Sequence, residues 1–296
     1  MSTFSRTAAG IRNYPSFYGV DFIVFTEGKD QSDQSPEERP DVQYFKTVLT
    51  EASGGLLPKV KCIGNKKAAL DYAYEIGLHS IPNSIVVVDN DFEGIISSPL
   101  VTGNVIRTYG YSWENEMWTH NLIKRVSSII SASNKKVACI IDGSFRKLEK
   151  RAKYLSILDL ATRFYGVALL NKSKSLGGIR FAFPHLPLAE IRRMRSVFDS
   201  TPALRCSFCR QIIAKVSSLN AQKIIQGHLW ENISFRLITS AFKTITDDTF
   251  PSNGVLRRIG FSVLNEDISK AVGPSVLSYY RSELSRVGIL RCFNEI

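Results

Sequence analysis

No stretch of this chain approaches the ~18 uncharged apolar residues of a membrane span, and its first residues, Met-Ser-Thr-Phe-Ser-Arg, lack the apolar core of a signal peptide. A cytoplasmic protein with no membrane contact is therefore expected. Cysteine is scarce, at Cys62, Cys139, Cys206, Cys209 and Cys292. An odd number without a dense framework excludes a disulfide scaffold and fits reduced thiols. Cys206-Ser-Phe-Cys209 has ligand-like spacing but no second pair, whereas a structural zinc site needs four ligands, so two half-buried thiols are the simpler reading. There is no GxxxxGK[ST] loop, which excludes ATP hydrolysis by a P-loop, and no GxSxG elbow or HExxH helix. Repeats and low-complexity tracts are absent as well.

What the chain does have is length and charge. Its 296 residues, 44% of them apolar, suffice for a full core in one large or two ordinary domains. The net charge of +11 is uneven. Residues 1–134 hold 12 Lys+Arg against 15 Asp+Glu, and residues 135–296 hold 26 against 12. A slightly acidic module followed by a strongly basic one suggests a catalytic unit beside a surface for a polyanion. A basic surface that aids solubility or docks an acidic protein is the alternative.

Five apolar segments read as strands: Asp21–Phe25, Pro58–Ile63, Ser84–Val88, Asn104–Tyr109 and Val137–Asp142. Between them, helices are expected over Val42–Ser53, over Lys66–Ile76, and from Trp113 to about Ser131, the last with Trp118, Leu122, Val126 and Ile129 on one face. Alternation of strand and helix implies an α/β fold with a mainly parallel sheet flanked by helices. The polar, proline-bearing stretch Asp30–Asp41 reads as a mobile loop. After residue 134 the texture becomes mostly helical and basic. Apolar stripes run through Leu186–Phe198 (Leu188, Ile191, Met194, Phe198) and Leu229–Phe242 (Leu229, Ile233, Leu237, Ala241). A boundary is placed near 135, with 1–134 as the catalytic module and 135–296 as the binding and dimerisation region.

Chemistry concentrates where strands end. Phe22-Ile23-Val24-Phe25 runs into Thr26-Glu27-Gly28, Ser84–Val88 into Asp89-Asn90-Asp91, and Val105–Tyr109 through Gly110 to Ser112-Trp113-Glu114. Strands buried on both faces read as continuous Val/Ile runs, and in open α/β sheets sites form at their carboxyl ends. Carboxylates gathered there need a compensating cation, and an all-oxygen set favours Mg²⁺ or Mn²⁺. Taken singly, Glu27 reads as a turn residue, Asp89 as a cap, Asp91 as a loop charge and Glu114 as a first-turn acid. Three strand-end acids in succession are less easily accidental. Lys66 and Lys67, opening a helix after Gly64-Asn65, suit a phosphate or a solvated pair. Arg192, Arg193 and Arg195 lie off the apolar stripe as candidate backbone or partner contacts. His79, His120 and His185 read as structural.

The segments TEGKD at 26–30 and VVVDNDFEG at 86–94 resemble the toprim domain, in which a strand ends in Glu-Gly and a later one in Asp-x-Asp, here 62 residues on. The likeness covers roughly residues 20–130. CIGNKKAAL at 62–70, YSWENEMW at 111–118 and QGHLWENI at 226–233 further resemble a toprim subfamily encoded beside ABC-type ATPases in prokaryotic anti-phage loci, the nuclease effectors of PARIS-type defence. The resemblance implies that Glu27, Asp89, Asp91 and Glu114 hold metal, and that Glu27 doubles as general acid or base. It implies an effector held by an ATPase sensor partner, released when a phage anti-restriction protein is sensed, and then toxic as a nuclease against RNA, with tRNA the implied substrate. His228 stands where related nucleases of the overcoming-lysogenization-defect type carry Gly-Lys; contact with the scissile phosphate, proton donation, or simple helix-start hydrogen bonding are its open roles.

Toprim topoisomerases and primases fit less well. The first need a tyrosine nucleophile in a larger chain, and none of the 11 tyrosines stands out; the second need template-binding modules that this length scarcely allows. Charge and spacing alone support only a metal and a polyanion. Two alternatives to an RNA nuclease therefore stay open: a DNA-directed toprim nuclease, and a non-catalytic metal-binding subunit that docks on an ATPase. An active homodimer is expected, since paired basic faces extend the grip on a folded RNA.

Overall fold

The computed structural model describes residues 8–28, 38–93, 103–163, 166, 169–170, 181, 186–201, 206–247 and 249–290. In chain order the elements are α1 (Ala8–Arg12), α2 (Tyr14–Tyr18), β1 (Phe22–Thr26), α3 (Pro40–Ala52), β2 (Pro58–Cys62), α4 (Lys66–Leu78), β3 (Ser84–Val88), β4 (Val105–Arg107), α5 (Trp113–Met117), α6 (His120–Ile130), α7 (Lys135–Arg163), α8 (Leu188–Ser200), α9 (Ser207–Ser217), α10 (Gly227–Phe242), α11 (Asn253–Glu266), α12 (Ile268–Val272) and α13 (Pro274–Arg286). A 3-10 turn spans Ala221–Lys223. The chain divides into two compact units: 1–90, 99–109 and 268–296 form the first, 91–98 and 110–267 the second. Residue 135 falls inside the second unit, at the first turn of α7.

The first unit is a mixed α/β structure with a four-stranded, all-parallel sheet in the order β2-β1-β3-β4. Strands β1 and β3 are buried along their whole length. This explains why both read as unbroken apolar runs, since each side chain meets protein whichever way the pleat turns it. Ile23, Phe25, Val86 and Val88 share one face with Ala69, Ala73 and Ile76 of α4. Helix α3 packs on β2 and against α13. Tyr279 and Arg286 of α13 donate to the carbonyls of Arg107 (2.9 Å) and Val105 (2.6 Å) at the β4 edge. Those bonds occupy backbone acceptors that an open sheet edge would leave exposed.

The second unit is helical. Helix α7, 29 residues long, packs against α6, α8, α9 and α10. It includes Val137–Asp142, so the strand expected there is corrected. Val137 and Ile141 are buried while Cys139 is exposed, and the buried positions continue through Phe145 and Leu148 at helical spacing. A short apolar run has no intrinsic period by which strand and helix can be told apart. The single helix expected from Trp113 is also corrected. It breaks at Trp118, whose ψ of 59 leaves the helical region, and Thr119 starts α6 by accepting the Leu122 amide at 3.2 Å. Ile129, expected on the apolar stripe, is exposed, as is Leu188 of α8. Cys206 and Cys209 owe their spacing to the start of α9, where the Cys206 sulfur accepts the Cys209 amide at 3.4 Å. Among the described residues no helix is long and apolar enough to cross a membrane.

Candidate functional site

The strand order places the topological switch point between β1 and β3. The connection from β1 leads outward to β2, and the next one returns across β1 to β3. Ligands of open α/β sheets bind beyond the carboxyl ends of strands at such a point. Glu27 and Asp89 lie there, one residue past each strand, and Glu27 Oε1 accepts the Asp89 amide at 2.8 Å. Lys66, first residue of α4, donates from Nζ to the Asp89 carbonyl at 2.6 Å. Asn65 caps the same helix by accepting the Ala68 amide at 3.0 Å. The first unit thus brings together Glu27, Asp89 and Lys66 of the sequence-derived set. Lys67, next on α4, is exposed.

Gly28 has a specific task here. Its φ of +150 disfavours other residues, and its amide and carbonyl both pair with Gly64 across a one-residue bridge. An added Cβ would run into the Arg39 guanidinium and lie 2.9 Å from Asp41 Oδ2. The Arg39–Asp41 pair, 2.8 Å apart and largely shielded, therefore sits directly on Gly28. That ion pair was not singled out in the sequence; the proline between its members, at the first turn of α3, is the available signal. The rest of the loop expected over Asp30–Asp41 lies mostly outside the described residues, as does His185.

The second unit builds a different arrangement. Glu114 is buried, with 4% of its side chain exposed, and both oxygens are engaged: Oε1 lies 2.9 Å from His228 Nδ1, and Oε2 accepts the Ser112 hydroxyl at 2.6 Å. The His228 ring is 89% exposed. The hydrogen bond to Glu114, reinforced by that carboxylate's charge, holds the imidazole above its usual pKa. Gly227 opens α10, and a Cβ there would fall 2.5 Å from Glu114 Oε2 and strike the Ser112 hydroxyl. The Gly-His dipeptide is thus a packing requirement: glycine lets α10 close on Glu114, and the next residue delivers the ring. One turn further, Glu231 takes a bidentate pair from Arg257 at 2.9 and 2.7 Å and accepts Trp118 Nε1 at 3.3 Å. Trp230 Nε1 in turn donates to the Trp118 carbonyl at 2.8 Å. This network fixes α10, and hence His228. Glu231 and Arg257 were not foreseen, because their partners are more than a hundred residues away or on separate helices, and Ser112, though only two residues from Glu114, was not foreseen as its donor.

As these side chains stand, Glu114 serves His228 through one oxygen and Ser112 through the other. Asp91 belongs to the second unit, where its amide donates to the Tyr111 carbonyl at 3.0 Å and its φ is +49. A left-handed aspartate is uncommon and marks a constrained position. Of the three arginines on α8, Arg193 pairs with Glu190 (2.9 Å) and Arg195 with Asp199 (2.8 Å), the latter also reaching Tyr154. Arg192 is exposed. His79 Nε2 lies 3.4 Å from a Glu75 carboxylate oxygen, and His120 Nε2 lies 3.0 Å from one of Asp142. Among the described residues no three His, Cys, Asp or Glu side chains converge as a ready metal cage. Glu27 and Asp89 would offer a metal only carboxylate oxygens, hard donors of the kind that Mg²⁺ takes. No protein-family model matches the chain, and no curated protein matches it in sequence.

Proposed function

We propose that this chain is a Mg²⁺-dependent nuclease of the toprim type, cleaving RNA, with tRNA as the expected substrate, as the toxic effector of an anti-phage system and under the control of an ATPase partner. The observation that carries the reading is the pairing of Glu27 and Asp89 at the switch point of a parallel sheet, bonded through the Asp89 amide. Resemblance to toprim motifs supplies the reaction class.

In this reading Glu27 and Asp89 hold the cation, with Asp91 two residues along the chain as a further acid. When bound, the cation supplies Lewis-acid polarisation of a phosphodiester. The Asp89 amide fixes the Glu27 carboxylate, so its orientation is set before substrate arrives. Lys66, anchored on the Asp89 carbonyl, places positive charge at the start of α4, where backbone amides also favour a phosphate. His228 offers an exposed imidazole held by Glu114, suited to donating a proton to a leaving oxygen. The basic second unit grips the RNA backbone, and a homodimer extends that grip.

The test is incubation of the purified chain with total tRNA, unrelated RNA and plasmid DNA, in Mg²⁺ or EDTA, beside Glu27→Gln. Metal-dependent tRNA cleavage that the substitution abolishes is the expected result. Cleavage of DNA alone would replace RNA by DNA in the reading. Silence on every substrate, with the ATPase partner and its trigger added, would replace the nuclease by a binding subunit.

A further inference from the structure

The second unit contains a cleft of about 520 Å³ that the nuclease reading does not use. This falls within the ~300–1,000 Å³ typical of small-ligand sites. Its inner wall is aromatic: Phe145 packs edge-on to Trp230 (ring centroids 5.6 Å) and stacks on His120 (4.5 Å, 24°). Trp118 and Trp230 are buried, whereas the His120 side chain, which also lines the cleft, is 37% exposed. Glu149 also lines the cleft, one helical turn after Phe145 on α7. It is half-buried, and among the described residues its carboxylate takes neither a hydrogen bond nor an ion-pair partner. Burial pushes its pKa up, with Lys153 and Arg146 pulling the other way. Lys150 and Lys153 line it too, and Lys153 Nζ also donates to the Ser217 carbonyl at 2.7 Å.

Two opposed features restrict the ligand. Glu149 is half-buried, and a carboxylate that lines a cleft without a protein donor is open to hydrogen-bond donors on a ligand. Lys150, Lys153 and Arg146 repel a cationic ligand and favour one bearing a phosphate. A flat ring is wanted by the aromatic wall. Of the four bases, guanine alone presents two adjacent donors, N1–H and N2–H₂, to both oxygens of a carboxylate. Adenine and cytosine place an acceptor beside their amino group, and uracil flanks its single N–H with carbonyls.

We infer that this cleft binds a guanine nucleotide, with Glu149 accepting from its Watson–Crick edge, His120 stacking on the base and Lys150 and Lys153 holding the phosphate. The ligand is either a free nucleotide or an unstacked guanine of an RNA, and the recognition chemistry is shared. The inference does not depend on the nuclease reading, because it concerns binding in the absence of metal.

The experiment titrates GMP, AMP, CMP, UMP and inorganic phosphate into the full chain in EDTA, read by calorimetry and by tryptophan fluorescence. Single-stranded ribohexamers with and without one guanine form a second arm. GMP is expected to bind roughly tenfold or more tighter than AMP, the discrimination of a bidentate base contact. Glu149→Gln should bring GMP and AMP together without lowering the melting temperature, and Lys153→Ala should weaken all four nucleotides alike. Hexamer above GMP assigns the cleft to RNA, and GMP above hexamer to free nucleotide. Equal affinity for GMP and AMP, phosphate binding as tightly as GMP, a preference that survives Glu149→Gln, or no binding at all would each overturn the inference. Loss of cleavage in the tRNA assay with guanine binding intact would sink only the nuclease reading.

Discussion

The two units assemble their polar residues by different means. In the first, which carries 14 Lys+Arg and 13 Asp+Glu, backbone topology does the work: parallel strands end side by side, so Glu27 and Asp89 meet because β1 and β3 are neighbours. In the second, with 24 Lys+Arg and 14 Asp+Glu, helix packing does the work: Glu114, His228, Glu231 and Arg257 come from three helices and meet through close contacts such as Gly227 on Glu114. A site made by topology tolerates changes in side chains around it, whereas a site made by packing depends on each contact. The first unit should therefore fail chemically when altered and the second structurally.

The largest expected effect tests that contrast on activity. Asp89→Asn should slow metal-dependent cleavage about a thousandfold, the several kcal/mol that cation binding supplies. His228→Ala should slow it roughly a hundredfold, at the low end for loss of a positioned proton donor. Single-turnover rates at saturating protein decide the order. A larger loss at His228 would place the chemistry in the second unit and reverse the comparison.

The contrast also governs what could be read in advance. Continuous runs such as Ile85-Val86-Val87-Val88 showed their burial on both faces, and the acids that follow them were found with them. The α10 stripe was legible too, since Leu229, Ile233, Leu237 and Ala241 are all buried. Val137–Asp142 misled because six residues carry no period, and the helix break at Trp118 was masked because Trp118, Leu122 and Val126, all buried, recur every fourth residue from it onward. Gly28 and Gly227 were noticed as glycines, but what each makes room for, the Arg39–Asp41 pair and the Glu114 carboxylate, depends on elements distant in sequence or on side-chain direction. No local pattern encodes the 231–257 ion pair, or Glu149 beside an aromatic wall.

A stability test follows in the second unit. Glu231→Ala strands Arg257, which is 34% exposed, and leaves the Trp118 indole N–H without its acceptor. The expected cost is about 2–3 kcal/mol. Denaturant unfolding with hydrogen exchange should show protection lost in α5, α10 and α11 and kept in β1 and β3. Loss spread evenly over the chain would mean that the units do not fail separately.

In the first unit the matching change is Gly28→Ala. It forces an alanine to a φ of +150 and drives its Cβ against Arg39 and Asp41. The strain costs about 2 kcal/mol. Exchange should loosen β1 and the Gly28–Gly64 bridge while leaving α10 protected. An unchanged melting curve would mean that the Arg39–Asp41 pair moves aside freely.

The smallest effect is a titration. In the folded chain His228 is held above its ordinary value of 6.5, chiefly by its hydrogen bond to Glu114 and then by that carboxylate's charge, with a lesser contribution from Glu231 opposed by burial and Arg257. A raised folded-state pKa means that the native state binds the proton more tightly than the unfolded chain. The stabilisation is therefore complete below about 6.5, the ordinary imidazole value, and disappears as pH rises through the folded value. Its size is small because the ring is 89% exposed, and solvent screens an exposed pair. Proton NMR of the histidine ring signals in EDTA measures it directly: one ring, assigned by loss in His228→Ala, should titrate above the ordinary value and return to it in Glu114→Gln. If the ring titrates normally in the unaltered chain, the Glu114–His228 contact does not persist in solution. The second unit would then lack the packing-built pair on which its contrast with the first depends.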